Sequence, residues 1–384
     1  MAQHRIVLTG GGTGGHIYPA LAVAERLQDD PDVEALLYVG AQGQPEQKLA
    51  TDRKIEFVGL VVSGMPRQLS SKLASWPLEM LKAIAEAKRA LKLFRPTVVL
   101  GTGGYASAPP LAAAWNLSVP YAVHEPDAHP GLVNRVFARR AHLVSAGMEA
   151  ATKSLSTGRG RIVVNGNPVR KSFVRLLSRD AACAVMGLDP GLRTVLVTGG
   201  SQGAKAINDA LLQALPSLLE IDPPLQIIHQ AGERNVQEIK DALDKGLLQN
   251  PRYCLRAYFD DLSTAYAVSD LTVCRAGAMT VAELAVTGTP ALFIPYPYAA
   301  ADHQTHNARF VASKSAAAVL SQSSLNPQTL SDQILALLSD PEQLNTMRRQ
   351  MLALGKPQAA TDLANQVKEV SAAYQARARA SVAD

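Results

Sequence analysis

The chain has 384 residues, 47% of them hydrophobic and 18% charged, with a formal net charge of +5. This length exceeds the roughly 250–300 residues at which a single core stops growing, so two domains are expected, and the composition excludes disordered and fibrous classes. Three widely spaced cysteines, Cys183, Cys254 and Cys274, exclude a disulfide framework or a CxxC metal site and suit a reducing cytosol.

Met1 leads straight into the strand-like "RIVLT" (5–9), so no signal peptide is expected. A helix opens at once after it in "GGGTGGHIYPALAVAERL", with five glycines in the six positions 10–15. Such density implies a close approach to the backbone, because each glycine loses the most conformational freedom on folding. Further strands are expected at 35–40, 55–60, 97–101, 120–125, 143–147 and 161–168, and then at 194–200, 225–232, 253–259, 271–277 and 291–297. Alternating with helical patterns, they spell βαβ units around parallel sheets. "VLTGGGTGGH" and "VLVTGGSQGAK" open the two halves alike. The echo implies two similar doubly wound domains, 1–168 and 169–357, joined near Asn167–Ser172 and facing each other across a cleft. The final helical stretch, 358–384, could belong to either domain and is expected to pack back on the first. Two uncharged stretches, 106–123 and 284–301, approach the length of a membrane span, but prolines break both, and no transmembrane helix is expected.

Between residues 63 and 95 lie Arg67, Lys72, Lys82, Lys88, Arg89, Lys92 and Arg95 against only Glu79 and Glu86. Leu69, Leu73, Trp76, Met80, Ile84, Leu91 and Phe94 run through this segment at roughly helical spacing. It reads either as a helix packing on its domain with a solvated basic face or as a surface for anionic lipid. No nucleic-acid motif accompanies it.

Gly10, Gly12 and Gly15 fit GxGxxG, but the strands that follow end "YVGAQG" and "HQAG", without the acid that would hold a dinucleotide's ribose. No GxxxxGK[ST] occurs either. What remains is the physics of the loop: backbone N–H groups at a helix N-terminus bind diphosphate. There is one such loop in each half and a third glycine turn at "GTGGY" (101–105), which suits a donor and an acceptor that are both diphosphate-linked. His16, at the loop–helix junction, is placed either to deprotonate an attacking hydroxyl, kept neutral by the helix end, or to donate to a phosphate. Glu125 and Asp127 follow a strand as an acid pair or as caps of a turn. Glu283 lies early in a helix after a glycine turn, suited to a ribose or to the helix dipole.

Together "GGGTGGHIYPALAVAERL", "VLGTGGYASAPP", "NGNPVR", "VTGGSQGAKAIND", "CRAGAMTVAELAVTGTPALFIPYP" and "DHQTHNA" resemble the MurG family of glycosyltransferase family 28, in order and over nearly the whole chain. The resemblance implies a GT-B fold of two Rossmann-like α/β domains and an inverting transfer of GlcNAc from UDP-GlcNAc to lipid I, the undecaprenyl diphosphate-linked acceptor, without metal or other cofactor. It also implies peripheral attachment to the cytoplasmic membrane face, which gives the basic segment 63–95 a use. By motif, His16 is the base, joined by Glu125 among the catalytic candidates. Thr13, Gly14, Gly15, Tyr105, Asp127 and Asn134 would meet the sugar and the acceptor. Arg170, Ser201, Gln202 and Gly203 would hold donor phosphates, and Phe259 would meet uracil through its backbone. Ala278, Met279 and Thr280 would offer N–H groups, Glu283 would bind the ribose, and His303 and Gln304 would read the sugar hydroxyls. The family commonly shows His-Glu-Xaa-Asn where this chain has His124-Glu125-Pro126-Asp127. A glycolipid synthase acting on diacylglycerol and a non-catalytic UDP-sugar-binding subunit are the competing readings.

Overall fold

Parallel strands covered on both faces are nearly continuous apolar runs rather than alternating ones, and this chain's strands follow that rule: Ile6, Val7, Leu8, Val98, Val99 and Leu100 are all wholly buried. The computed structural model describes residues 3–64, 71–200 and 202–383, with the side chains of 71–74 and 381–383 left aside. The chain forms two compact units, Met1–Arg170 with Lys356–Asp384, and Lys171–Gly355.

The first unit holds β1 (His4–Thr9), β2 (Val33–Ala41), β3 (Glu56–Leu60), β4 (Val98–Gly101), β5 (Tyr121–Glu125), β6 (Leu143–Ala146) and β7 (Arg161–Val164) in the order β3-β2-β1-β4-β5-β6-β7. The second holds β8 (Arg193–Thr198), β9 (Leu225–Gln230), β10 (Tyr253–Arg256), β11 (Leu271–Cys274), β12 (Ala291–Phe293) and β13 (Ala317–Val319) in the order β10-β9-β8-β11-β12-β13. The pairings are parallel. Both sheets reverse direction of winding beside their first strand, the point where α/β sheets open a crevice at the strands' carboxyl ends. Register decides what meets there. Thr9 pairs with Gly101 and Thr198 with Cys274, so the loops after β1 and β4, and those after β8 and β11, leave their sheet level with one another.

Helix α1 (Gly14–Leu27) buries Ile17, Ala20, Leu21, Ala24 and Leu27, an i, i+3, i+4 stripe, against the first sheet. The helix Ala359–Ala383 packs on α1 and adds Leu363, Ala364 and Val367 to the same core. Each of the leucine, isoleucine and valine side chains among them contributes about 1.5–3 kcal/mol on burial. Polar ties fix its register: Ser371 Oγ lies 2.8 Å from His4 Nδ1 and donates to Thr97 Oγ1 at 2.7 Å, and Lys368 pairs with Asp30. Where the chain returns, Gly166 (φ +80) leaves room for Lys356, whose Cβ would stand 2.3 Å from a side chain there.

Helix α2 (Pro45–Asp52) follows β2, and α3 (Ser71–Phe94) precedes β4. On α3, Ala83, Ala87, Leu91 and Phe94 face the core, while Met80 and Ile84 are half-buried. The apolar stripe expected from the sequence is therefore mostly the inward face. The apolar residues left outside are others, Leu78, Leu81 and Leu93, at 58%, 63% and 87% exposure. They stand among exposed Lys82, Arg89, Lys92 and Arg95. Arg67 and Leu69 lie outside the described residues, as do the side chains of Lys72 and Leu73. Among the described residues no helix is long and apolar enough to cross a membrane. The unpredicted strand is β13, three residues of the alanine-rich "SAAAVL", which β12 recruits to the sheet edge.

Candidate functional site

The glycines after β1 are packed by the protein itself. A Cβ on Gly10 would lie 2.0 Å from Thr102 Oγ1, one on Gly11 2.2 Å from Glu46 Oε1, and one on Gly12 (φ +86) 2.7 Å from the Tyr105 ring. The third glycine turn is not a separate site. Gly11 N–H donates to the Gly103 carbonyl at 3.3 Å, and a Cβ on Gly104 would fall 2.0 Å from Gly11 O. The two loops form one floor, and the expected close approach to the backbone is met first by the neighbouring loop and by α2.

From that floor α1 starts without a cap. Thr13, its N-cap, makes no side-chain capping bond, and the first turn holds no acid. The N–H groups of Gly14 and Gly15 thus have no intrahelical acceptor. Two helices of the second unit, Lys205–Leu219 after β8 and Ala278–Thr287 after β11, share these traits, with Ala204 and Gly277 as their N-caps. Three other helices of the second unit are capped by side chains: Ser178 accepts from Ala181 N–H, Asn326 from Thr329 N–H, and Asp340 from Gln343 N–H. The positive ends of the three uncapped helix dipoles lie at the strand ends, where they favour an anion.

His16 Nδ1 lies 3.1 Å from the Thr102 carbonyl. A carbonyl only accepts, so Nδ1 carries the proton and the lone pair of the neutral ring is on Nε2. Gly103 (φ +99) is the spacer between His16 and Asn134: a Cβ there would be 2.8 Å from His16 Nδ1 and 3.0 Å from Asn134 Nδ2. Asn134, in the helix Leu132–Ala138, donates to the His124 carbonyl and to Glu125 Oε2, both at 2.9 Å. Its Oδ1 is buried and lacks a partner among the described residues.

Glu125 is wholly buried, and its oxygens accept from Asp127 N–H at 2.9 Å and Gly131 N–H at 3.0 Å as well as from Asn134. Burial, with Asp127 nearby, raises its pKa to about 7. The carboxyl is engaged in tying the 126–131 loop to Asn134, which corresponds to the turn-capping reading of the acid pair. Asp127 is half-buried, Thr13 is exposed, and Tyr105 covers the face of Gly12. Arg170 stacks over the Tyr18 ring of α1 at 5.5 Å, which places it beside this same loop.

In the second unit Gly203 (φ +73) sits over the end of β9, where a Cβ would strike the Ala231 carbonyl at 2.0 Å. Gln202 is exposed, and Asn235 Nδ2 donates to its carbonyl at 3.3 Å. Ser201 lies outside the described residues. Gln230, the residue at the strand end where a dinucleotide fold keeps its acid, donates to Thr198 Oγ1 and to the Gly200 carbonyl and accepts from Phe259 N–H at 3.1 Å. The Phe259 N–H is thereby used within the protein. Ala278 and Met279 are buried and Thr280 half-buried in the first turn after Gly277. Glu283 reaches back toward Cys274 at the end of β11, whose thiol pKa burial and this carboxylate both raise.

A pocket of about 400 Å³ opens beside this loop, lined by Gly199, Gly203, Lys205, Arg275, Tyr296 and Gln304 among others. Gln304 Oε1 accepts from Tyr296 N–H at 2.9 Å, and His303 Nδ1 donates to the Ala300 carbonyl at 2.8 Å. Arg275 was not singled out from the sequence, although a lone cation at the end of an apolar strand, "LTVCRAG", signals it. It donates to the carbonyls of Ile294 and Pro295 and to Gln322 Oε1 and stacks on Tyr296 at 5.3 Å. Burial lowers its pKa to about 10, which still leaves it cationic at neutral pH.

Two Rossmann-like units, each with an uncapped helix after its first strand and no ribose acid, have the architecture of a GT-B glycosyltransferase. The glycosyltransferase family 28 N-terminal domain model matches residues 6–145 and the corresponding C-terminal domain model matches residues 194–367. Among curated relatives, the protein named UDP-N-acetylglucosamine--N-acetylmuramyl-(pentapeptide) pyrophosphoryl-undecaprenol N-acetylglucosamine transferase from Halothermothrix orenii is 38% identical over 96% of this chain and 99% of its own. The protein of the same name from Syntrophotalea carbinolica is 39% identical over 91% of this chain and 94% of its own. The crystal structure of Acinetobacter baumannii MurG superposes with a TM-score of 0.74 at 29% identity, covering 96% of this chain and 99% of that one. The chain belongs to glycosyltransferase family 28, within its MurG branch of N-acetylglucosaminyltransferases.

Proposed function

We propose that the protein transfers GlcNAc from UDP-GlcNAc to undecaprenyl-diphospho-MurNAc-pentapeptide, forming lipid II at the cytoplasmic face of the membrane. The near-full-length similarity to relatives named for this reaction supports the substrates. The observation that carries the mechanism is the His16–Thr102 bond, which leaves the basic lone pair on Nε2. In this reading the acceptor's hydroxyl attacks the anomeric carbon of GlcNAc, His16 Nε2 takes its proton, and the bond to UDP breaks on the opposite face with inversion. The N-terminal unit takes the acceptor, its diphosphate over Gly14 and Gly15. The C-terminal unit takes UDP-GlcNAc between the 199–204 loop, the first turn at Ala278, and the 296–304 loop. Arg275 and the open helix ends stabilise the departing diphosphate.

A second diphosphate loop has no purpose for a diacylglycerol acceptor, and a non-catalytic subunit has no use for an oriented histidine. A transfer assay with UDP-GlcNAc and a short-chain lipid I analogue separates these readings. Turnover with that analogue is expected, and His16→Ala should lower kcat by about 10²–10⁴ while leaving UDP binding intact. Near-normal kcat in His16→Ala would remove it as the base. Turnover only with diacylglycerol, or tight UDP binding without turnover, would overturn the assignment.

A further inference from the structure

The carboxyl beneath the glycine floor belongs to none of the roles above. Glu46, the second residue of α2, is wholly buried although its helix lies on the surface. Its Oε1 accepts from Ala41 N–H at 3.2 Å, and the Gly12 N–H lies near enough to the carboxyl to lower its pKa. Two glycines clear the space it fills. A Cβ on Gly11 would lie 2.2 Å from Oε1, and one on Gly40 would lie 2.9 Å from Glu46 Cγ. Its other oxygen, Oε2, is buried without a partner among the described residues. Tyr38 Oη completes the underside by donating to the Gly10 carbonyl at 2.6 Å. Burial raises the Glu46 pKa despite the backbone N–H groups that lower it.

An acid in the first turn of α2 would serve the helix dipole equally well from the surface, without a fully desolvated carboxyl or two glycines to house it. What the buried position adds is a grip on the loop. With Gly11 N–H on the Gly103 carbonyl and the Glu46 carboxyl packed directly beneath Gly11, the underside of the loop is filled, and the N–H groups of Gly14 and Gly15 follow at the start of α1. We propose that Glu46 is a positioning residue for the acceptor: it holds the Gly10–Gly12 loop at the height from which the first-turn N–H groups of α1 meet the acceptor's diphosphate. This rests on the reading that this loop, not the one after β8, takes the acceptor.

Steady-state kinetics with UDP-GlcNAc and the short-chain lipid I analogue test it in Glu46→Ala, Glu46→Gln and Gly15→Ala. Gly15→Ala is a clean probe, because its added methyl would meet only Thr13 Oγ1, at 3.7 Å, within the protein. Glu46→Ala is expected to raise the acceptor KM about tenfold or more with the donor KM within about twofold. Glu46→Gln, which keeps an accepting oxygen in the same place, should stay within about threefold of wild type. An unchanged acceptor KM in Glu46→Ala, or an equal rise in both KM values, overturns the role of Glu46. Should Glu46→Ala fail to fold, Glu46→Asp, one methylene short of its contact with Gly11, is expected to raise the acceptor KM, and no change there overturns the role as well. If Gly15→Ala raises the donor KM instead of the acceptor KM, the acceptor assignment of the loop is what fails. If Gly15→Ala raises the acceptor KM and Glu46→Ala does not, only the role of Glu46 fails.

Discussion

Thr102 holds His16 at two points: its carbonyl accepts from His16 Nδ1 at 3.1 Å, and its hydroxyl donates to the His16 carbonyl at 2.5 Å. One residue of the loop after β4 therefore sets both the tautomer of the ring and the position of the backbone that carries it. Thr102→Val keeps the carbonyl and the shape but loses the hydroxyl, a bond contributing about 0.5–1.5 kcal/mol. The expected outcome is a kcat lowered about tenfold with UDP affinity unchanged, and recovery in Thr102→Ser. Equal kcat in Thr102→Val and wild type would show that the clamp does not orient the base.

Gly103 separates His16 from Asn134 in a left-handed conformation. Gly103→Ala adds backbone strain of about 1 kcal/mol or more and drives a methyl against both side chains. A loss of kcat of about 100-fold is expected, with a folded protein by circular dichroism. Gly43→Ala is the control: its φ is also positive, at +72, but nothing lies within 4 Å of the added methyl. It should lose stability and keep its activity.

Stability should depend on pH in two opposed ways. The buried His124 and His229 have pKa values lowered by desolvation, to about 4 and about 3. The unfolded chain binds protons there first, so their contribution is whole above about 6.5 and is lost as pH falls toward those values. Glu125 is raised to about 7 by burial, with Asp127 adding to the rise. The folded chain then holds the extra proton, so that contribution is whole below about 4.5 and is lost as pH rises through 7. Melting temperature should climb from pH 4 to about 6.5, dip slightly toward pH 7 as Glu125 ionises in the folded chain, and level off above that. In His229→Gln the acid limb should be shallower by up to about 1.4 kcal/mol per pH unit, one proton's worth. An unchanged limb would exclude His229 as a buried neutral group.

The exposed apolar residues of α3, not its sequence-level stripe, should carry membrane contact. Leu78→Asp/Leu81→Asp and Lys82→Glu/Lys88→Glu/Lys92→Glu are both expected to reduce sedimentation with anionic vesicles. A neutral vesicle should weaken the wild type and leave the leucine variant's deficit visible. Binding equal to wild type by both variants would assign the face another use.

Much of the fold was legible because parallel strands leave apolar runs bounded by glycine turns, and eleven residues of "VLVTGGSQGAK" repeat the plan of "VLTGGGTGGH". The short β13 was not: three alanine-rich residues carry no strand propensity, and pairing with β12 decides them. On α3 periodicity located an amphipathic helix but could not tell its inward apolar residues from Leu78, Leu81 and Leu93, because both rows repeat at helical spacing.

The sequence alone determined the two-domain architecture, the positions of the glycine loops, and His16 as the histidine at one of them. All of these depend on local backbone chemistry, which is written into consecutive residues. Tertiary structure decided why the glycines are there, which nitrogen of His16 is basic, and which groups hold the Glu125 and Glu46 carboxyls. Those answers come from residues distant in the chain, such as Thr102, brought level with the first glycine loop by the register of β1 with β4. A sequence lists the donors and acceptors; only packing determines which of them are already used.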